Sequence, residues 1–167
     1  MSSGKFLGHL VNKRGIDASP DQVKAILDLR SPRSIKDIQK LTGRIAALNR
    51  FISKSSDRCK PFYDALKKNK TFQWTSEQEV EFQELKNYLS NKLLLAKPKP
   101  DEPLPLYMSV SESSVSAVLV REEDGKQLPV YYVSKSLLPA ETRYSVLEKL
   151  VLGLVTASNK LDRKSVV

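Results

Sequence analysis

A chain of 167 residues, 40% hydrophobic and 28% charged, can bury one sizeable core or two small ones and is not a disordered polymer. Its single cysteine, Cys59, and single histidine, His9, exclude an internal disulfide framework and a Cys/His zinc site; the lone thiol fits a reducing intracellular setting without choosing between cytoplasm and nucleus. Neither a signal-peptide core nor an apolar run near the roughly 20 residues of a membrane span occurs, so no membrane partner is expected, and the net charge of +9 directs attention to polyanions.

That charge is one-sided. Residues 1–74 carry 16 Lys/Arg against 6 Asp/Glu, and residues 75–167 carry 12 against 13. A basic module joined to a near-neutral one points to nucleic acid as the partner of the first, with a solvated surface as the alternative. The chain opens with a predicted hairpin over residues 4–16, one strand at 5–12 and a turn at Lys13-Arg14-Gly15. Ser19 precedes Pro20 at the first helical position of a short helix that continues over 22–29, and Ser31-Pro32 ends it. Ser34 caps the next helix, with Asp37 three residues on, and the pattern runs to about Lys54. Ile35, Ile38, Leu41, Ile45, Leu48 and Ile52 form its core face. Lys36, Lys40, Gly43, Ala47, Arg50 and Lys54 follow the same spacing opposite. Gly43 inside a helix costs about 1 kcal/mol relative to Ala. Flanking cations and a small-residue gap would let the helix backbone approach a duplex groove while the cations meet phosphates; the alternative is a solvated face with Gly43 serving helix packing.

A further helix is predicted from Ser56-Asp57 to about Lys68, with Phe62 and Leu66 in the core. Lys67-Lys68-Asn69-Lys70 reads as a soluble loop, and Phe72 and Trp74 as packing aromatics. Thr75-Ser76 cap an acidic helix over 77–90 whose buried side is Val80, Phe82, Leu85 and Leu89. A Pro-stiffened connector over 98–103 leads into strands at 104–109, 115–120 and 128–134, with turns at 111–113 and at Asp124-Gly125, the strongest hairpin signal in the chain. An amphipathic helix follows Pro139 and runs to Leu161; its stripe of Tyr144, Leu147, Val151, Leu154, Val155 and Leu161 is assigned to the sheet-packed face, with Lys160, Arg163 and Lys164 suiting its C-terminal dipole.

Several stretches carry a resemblance, in one order, over nearly the whole chain. Ser116-Ala-Val-Leu-Val-Arg-Glu-Glu-Asp-Gly, Pro129-Val-Tyr-Tyr-Val-Ser-Lys-Ser-Leu and Glu141-Thr-Arg-Tyr-Ser-Val-Leu-Glu-Lys-Leu resemble the opening of the RNase H-like region in Pol proteins of gypsy-class LTR retrotransposons, in the plant-type variant. Phe6-Leu-Gly-His-Leu-Val-Asn-Lys-Arg-Gly-Ile resembles the strand pair that closes the polymerase palm, the helix after Ser34 resembles the thumb helix that tracks the primer–template minor groove, and Trp74-Thr75 resembles the thumb-to-RNase-H junction. The resemblance implies an α+β chain: residues 1–70 as the end of a palm hairpin and a helical thumb, 71–103 as a junction helix and connector, and 104–167 as a truncated RNase H-like unit of three antiparallel strands and a packing helix. With no palm before it, the hairpin is expected to leave an edge with exposed apolar residues.

The resemblance also implies what is missing. Active members end the first strand in an Asp, which aligns with Ser109, and carry a metal-binding Glu in the helix, which aligns with Leu150; Glu112 and Glu148 are poor substitutes, and the family's remaining acids fall beyond Val167. Mg²⁺ needs hard oxygen ligands, so no cofactor is expected, Mg²⁺ applying only to an active nuclease. No Tyr-x-Asp-Asp pattern occurs, and polymerase chemistry is absent. The expected function is binding of an RNA–DNA hybrid or a DNA or RNA duplex, without chemistry, with remaining Pol subdomains or another subunit as further partners. The alternatives are an active ribonuclease H or RNA-directed DNA polymerase by descent, or a non-functional transposon relic.

Overall fold

The computed structural model describes residues 4–6, 9–67, 71–91 and 93–162, and these divide into two units. The stretch Lys68-Asn69-Lys70 and the cations Arg163 and Lys164 lie outside the described residues. The first unit comprises Met1–Phe51 and Arg58–Leu94; the second comprises Ile52–Asp57 and Leu95–Val167.

The first unit begins with three short antiparallel strands, β1 (Gly4–Phe6), β2 (His9–Asn12) and β3 (Gly15–Asp17). The sheet order is β1-β2-β3-β4, where β4 (Leu94–Ala96) opens on the unit's last residue. The single strand expected over 5–12 is therefore two: Gly4 pairs with Val11 and Phe6 with His9. Pairing satisfies backbone groups that one extended strand would leave open. The second reversal is local chemistry: Asn12 Oδ1 accepts from the N–H of Arg14 (2.8 Å) and of Gly15 (3.1 Å), an Asx-type turn. Val11, on a strand paired on both sides, has an exposed side chain.

Helix α1 (Pro20–Leu27) starts after Ser19, whose hydroxyl makes no capping bond; its carbonyl accepts from Val23 N–H at 3.0 Å. Helix α2 (Ile35–Leu48) is capped by Ser34, which accepts from Asp37 N–H, while the Asp37 carboxylate receives the Ser34 hydroxyl (2.9 Å) and the Arg33 N–H (3.0 Å). These bonds, the Arg33 N–H first, hold the Asp37 carboxyl below the usual carboxylate range. The buried face is Ile38, Leu41, Thr42, Ile45 and Leu48. Ile35, assigned to that face, is exposed, because it sits in the first turn before the core begins. The helix also ends earlier than its periodicity suggests. After Leu48 the chain tightens into a 3-10 turn, Asn49–Phe51, which brings the buried Phe51 into line with Leu48 at three residues per turn. Lys54 then takes a left-handed conformation (φ 50°).

Helix α3 (Ser55–Lys67) accommodates Pro61 within its length, and helix α4 (Ser76–Ser90) begins with a capping box between Thr75 and Gln78. Phe62 stacks on Trp74 (centroids 6.0 Å apart), and Phe82 meets both rings edge-on. Trp74 Nε1–H donates to Glu79 at 2.6 Å. Of the four residues assigned to the buried side of α4, Phe82, Leu85 and Leu89 are buried and Val80 is exposed. The Cys59 thiol is buried in this unit, and burial pushes its pKa up to about 12.

The second unit holds a sheet of order β5-β6-β7, formed by Leu106–Val110, Ser114–Glu123 and Lys126–Ser136. Asp124 (φ 53°) and Gly125 (φ 73°) turn the β6–β7 hairpin, the positive-φ pair that an Asp-Gly loop favours. Arg121, nearly buried, meets Glu102 and Glu123 (both 3.2 Å) and donates to the Lys97 carbonyl. At the other end of the sheet the Asp57 carboxylate accepts the Ser111 hydroxyl at 2.8 Å, and Ser56 N–H donates to Ser134 Oγ at 3.0 Å.

Helix α5 (Val146–Asp162) packs on this sheet with a face other than the one its hydrophobicity selects. Leu147, Val151, Leu154 and Val155 are 46–71% exposed, Tyr144 precedes the helix and is exposed, and Leu161 is half-buried. The inward positions are Lys149, Gly153 and Ala157, spaced by four. A Cβ on Gly153 would lie 3.6 Å from Val115 Cβ, so small residues let the helix backbone close on the strands. Ala157 packs with Ala117 and Val133.

Two expected outcomes follow from this packing. The Trp74 and Gln83 N–H groups hold the Glu79 carboxyl below its ordinary 4.5. A depressed carboxylate contributes stability that is present above its unfolded value and lost as pH falls through the folded one. Glu79→Gln should therefore flatten the decline of stability below pH 4.5 in urea titrations read by Trp74 fluorescence; an unchanged acid limb would show that the pair does not couple to folding. Lys149 is 8% exposed with one long bond, Nζ to the Ser111 carbonyl at 3.4 Å. Burying an ammonium so sparsely bonded is costly, so Lys149→Met should leave the thermal midpoint equal or higher; a fall of several degrees would contradict this.

Candidate nucleic-acid interface

The buried face of α2 fixes what its other face presents. At 100° per residue, Lys36, Lys40, Gly43 and Ala47 lie within a band of about 60° on the side away from Ile38, Leu41, Ile45 and Leu48. All four are exposed. The structure thus brings these four together. Arg50 lies in the 3-10 turn and is half-buried. Lys54 does not continue the face: it is outside the helix and belongs to the second unit. The helix stops at Leu48, where the chain tightens into the turn that buries Phe51, and the extrapolated spacing fails there.

Gly43 stands open on this face. A Cβ built on it meets nothing within 4 Å, so no packing contact among the described residues requires glycine. The gap opens outward between Lys40 and Ala47. Arg44, one residue on, is engaged elsewhere, its guanidinium donating to the Ala25 carbonyl of α1. Two cations that periodicity passed over, Arg30 and Arg33, border the N-terminal side of this surface. They flank Ser31-Pro32, a pair that reads as a helix stop and hides the charge on either side of it.

The positions aligned with metal-binding acids lie in the second unit. Ser109 is half-buried on β5 opposite Ser116 of β6, and Leu150 is half-buried on α5. Glu112 is exposed in the β5–β6 turn. Glu148 is committed to capping α5: it accepts the Ser145 N–H at 2.7 Å, and that bond holds its carboxyl below the usual range. Around the strand end the polar groups are the hydroxyls of Ser111, Ser113 and Ser114, the Asp57 carboxylate that accepts from Ser111 and Ser113, and the Lys149 ammonium. Among the described residues no three His, Cys, Asp or Glu side chains group to hold a metal. Serine hydroxyls beside an ammonium do not fit Mg²⁺, which takes hard anionic oxygens.

Comparison with known proteins places this architecture. Residues 74–164, over half the chain, match the family model described as the RNase H-like domain found in reverse transcriptase. The chain is 29% identical over 170 residues to the retrovirus-related Pol polyprotein from transposon opus of Drosophila melanogaster, covering 94% of this chain and 17% of that protein. It is 27% identical over 155 residues to the transposon Tf2-3 polyprotein of Schizosaccharomyces pombe, covering 92% and 12%. The chain therefore spans less than a fifth of the length of these relatives. Among solved structures, it resembles the foamy viral protease-reverse transcriptase in complex with RNA/DNA hybrid, with a TM-score of 0.79 at 24% identity over 95% of this chain and 22% of that one. The same enzyme in complex with dsDNA gives 0.80 at 23% identity, over 98% and 34%. At that identity the likeness is one of fold. With its family match, its transposon relatives and an α+β fold of this kind, the chain belongs to the RNase H-like domain family found in reverse transcriptase, in the form carried by retrotransposon Pol polyproteins.

Proposed function

We propose that the chain binds a nucleic-acid duplex, an RNA–DNA hybrid above all, through the outward face of α2, and performs neither polymerase nor nuclease chemistry itself. Residues 1–70 are read as the end of a palm hairpin and a thumb-like region, 71–103 as a junction, and 104–167 as a truncated RNase H-like unit. The wording of the β6–β7 hairpin and of α5 favours a gypsy-class element of plant type. The observation that carries the binding reading is Gly43: an open glycine inside a 14-residue helix, against which none of the described residues packs, between exposed Lys36 and Lys40 on one side and Ala47 on the other. Glycine there weakens the helix, and close approach of an external backbone or groove is the role that offsets it. Arg50, in the turn that follows, extends the cationic track. The foamy viral proteins of like fold hold an RNA/DNA hybrid and dsDNA, which makes such a duplex the natural ligand to test. Other Pol subdomains or a second subunit are further partners under this reading.

Gly43→Ala separates function from stability. The substitution should stabilise α2 by up to about 1 kcal/mol while weakening hybrid binding about tenfold, an effect of about 1.4 kcal/mol. Lys36→Glu with Lys40→Glu should lower affinity uniformly across sequences and reduce the salt slope by about two. Anisotropy with a labelled hybrid at several salt concentrations measures both, and binding unaffected by either change would exclude the α2 face. Without carboxylates at Ser109 and Leu150, the chain should leave a hybrid intact in Mg²⁺ or Mn²⁺; metal-dependent cleavage that copurifies with the chain and disappears with Asp57→Asn would overturn the non-catalytic reading.

A further inference from the structure

Beside the α2 face, the loop Leu29–Arg33 and the first turns of α2 enclose a cleft of about 260 Å³. Arg30, Arg33 and Lys40 line it, and none of the three pairs with a described carboxylate. Asp37 is the one acid in the lining, and its carboxylate already receives the Arg33 N–H and the Ser34 hydroxyl. Two positive charges remain in excess. The loop that carries the arginines is held in place. Pro32 is buried, and the Lys86 ammonium donates to the Leu29 carbonyl. A cationic cleft on a fixed backbone loses little freedom when it takes an anion. The remaining lining is aliphatic, Leu29, Pro32 and Leu41, with no aromatic ring on which a base could stack.

We propose that this cleft is a phosphodiester site, in which Arg30, Arg33 and Lys40 hold a backbone phosphate at the N-terminal end of the α2 face. The guanidinium fork suits two phosphate oxygens at once, and Lys40 acts as a point charge shared between cleft and face. The phosphate-binding chemistry stands on the cleft alone; its place on a bound strand rests on the duplex-binding reading above.

The test uses the full chain and two ligands. Inorganic phosphate, titrated at constant ionic strength against chloride, should give saturable shifts of the Arg30 and Arg33 side-chain N–H signals, and Arg30→Ala with Arg33→Ala should abolish saturation. The same double variant should reduce the salt slope of hybrid binding by about two. Arg30→Lys with Arg33→Lys, which keeps charge and loses the fork, should retain most of the slope while weakening phosphate binding. Saturation by phosphate in a chain that binds no hybrid would uphold the cleft as a free-phosphate site and remove the duplex reading. Hybrid binding that is lost in Lys36→Glu, yet keeps its slope in Arg30→Ala with Arg33→Ala, would overturn the cleft as a site for the backbone phosphate of a bound strand and leave the duplex reading in place. Absence of saturable phosphate shifts in the parent chain would overturn the cleft as well.

Discussion

The buried side of α2 sets most of what the first unit can do. Ile38, Leu41, Ile45 and Leu48 are fully buried, and each such side chain contributes about 1.5–3 kcal/mol when removed from water. Rotating the helix by a single residue, 100°, would bring several of them toward solvent. Its azimuth is therefore fixed by the core, and the Lys36–Ala47 face is fixed with it. The ends are set as firmly: Ser34 and Asp37 close the start, and Phe51, drawn into the core, closes the finish. The outward face needs no partner in order to be held ready for one.

The aromatic cluster has a comparable role one layer away. Phe62, Trp74 and Phe82 join the middle of α3, the stretch before α4 and the first turns of α4, and the Trp74 indole N–H is spent on Glu79. An indole so engaged is a packing residue, as its position before a capped helix suggests, and it is not a platform for bases. The same cluster reaches the cleft through a polar bond. Lys86, lying 4.6 Å over the Phe82 ring, reaches the Leu29 carbonyl. The loop bearing Arg30 and Arg33 is thus positioned from the core.

Much of this was legible in residue order. Alternation and Asp124-Gly125 locate the three-stranded sheet, and the Thr75-Ser76 cap locates α4 within a residue. The α2 face from Lys36 to Ala47 follows from helical spacing alone. What was not legible depends on tertiary approach. Hydrophobicity selects Leu147, Val151, Leu154 and Val155 for the sheet side of α5, whereas Gly153 and Ala157 lie there, because the distance of closest approach favours small residues over apolar ones. Val80 fails for a related reason: one apolar residue beyond the Phe82–Leu85–Leu89 row finds no surface to cover. Periodicity also cannot show where a helix tightens, so Lys54 was carried onto a face that ends before it. Arg30 and Arg33 carry no period at all, and only folding of the loop brings them beside Lys40.

The second unit is discontinuous in sequence. Ile52–Asp57 belong to it, although they precede α4 and most of α3, and Ser56 and Asp57 are bonded to Ser134 and Ser111. The polypeptide visits this unit, leaves for the first, and returns at Leu95. A genetic exchange with its breakpoint between residues 58 and 94 would deliver the sheet and α5 without the six residues that finish one end of that sheet. Such a chimera would depend on its new upstream partner to supply a matching hydroxyl-accepting carboxylate. Residues 52–57 and the strands they serve therefore form one physical unit, separated in sequence by a stretch that belongs to the other.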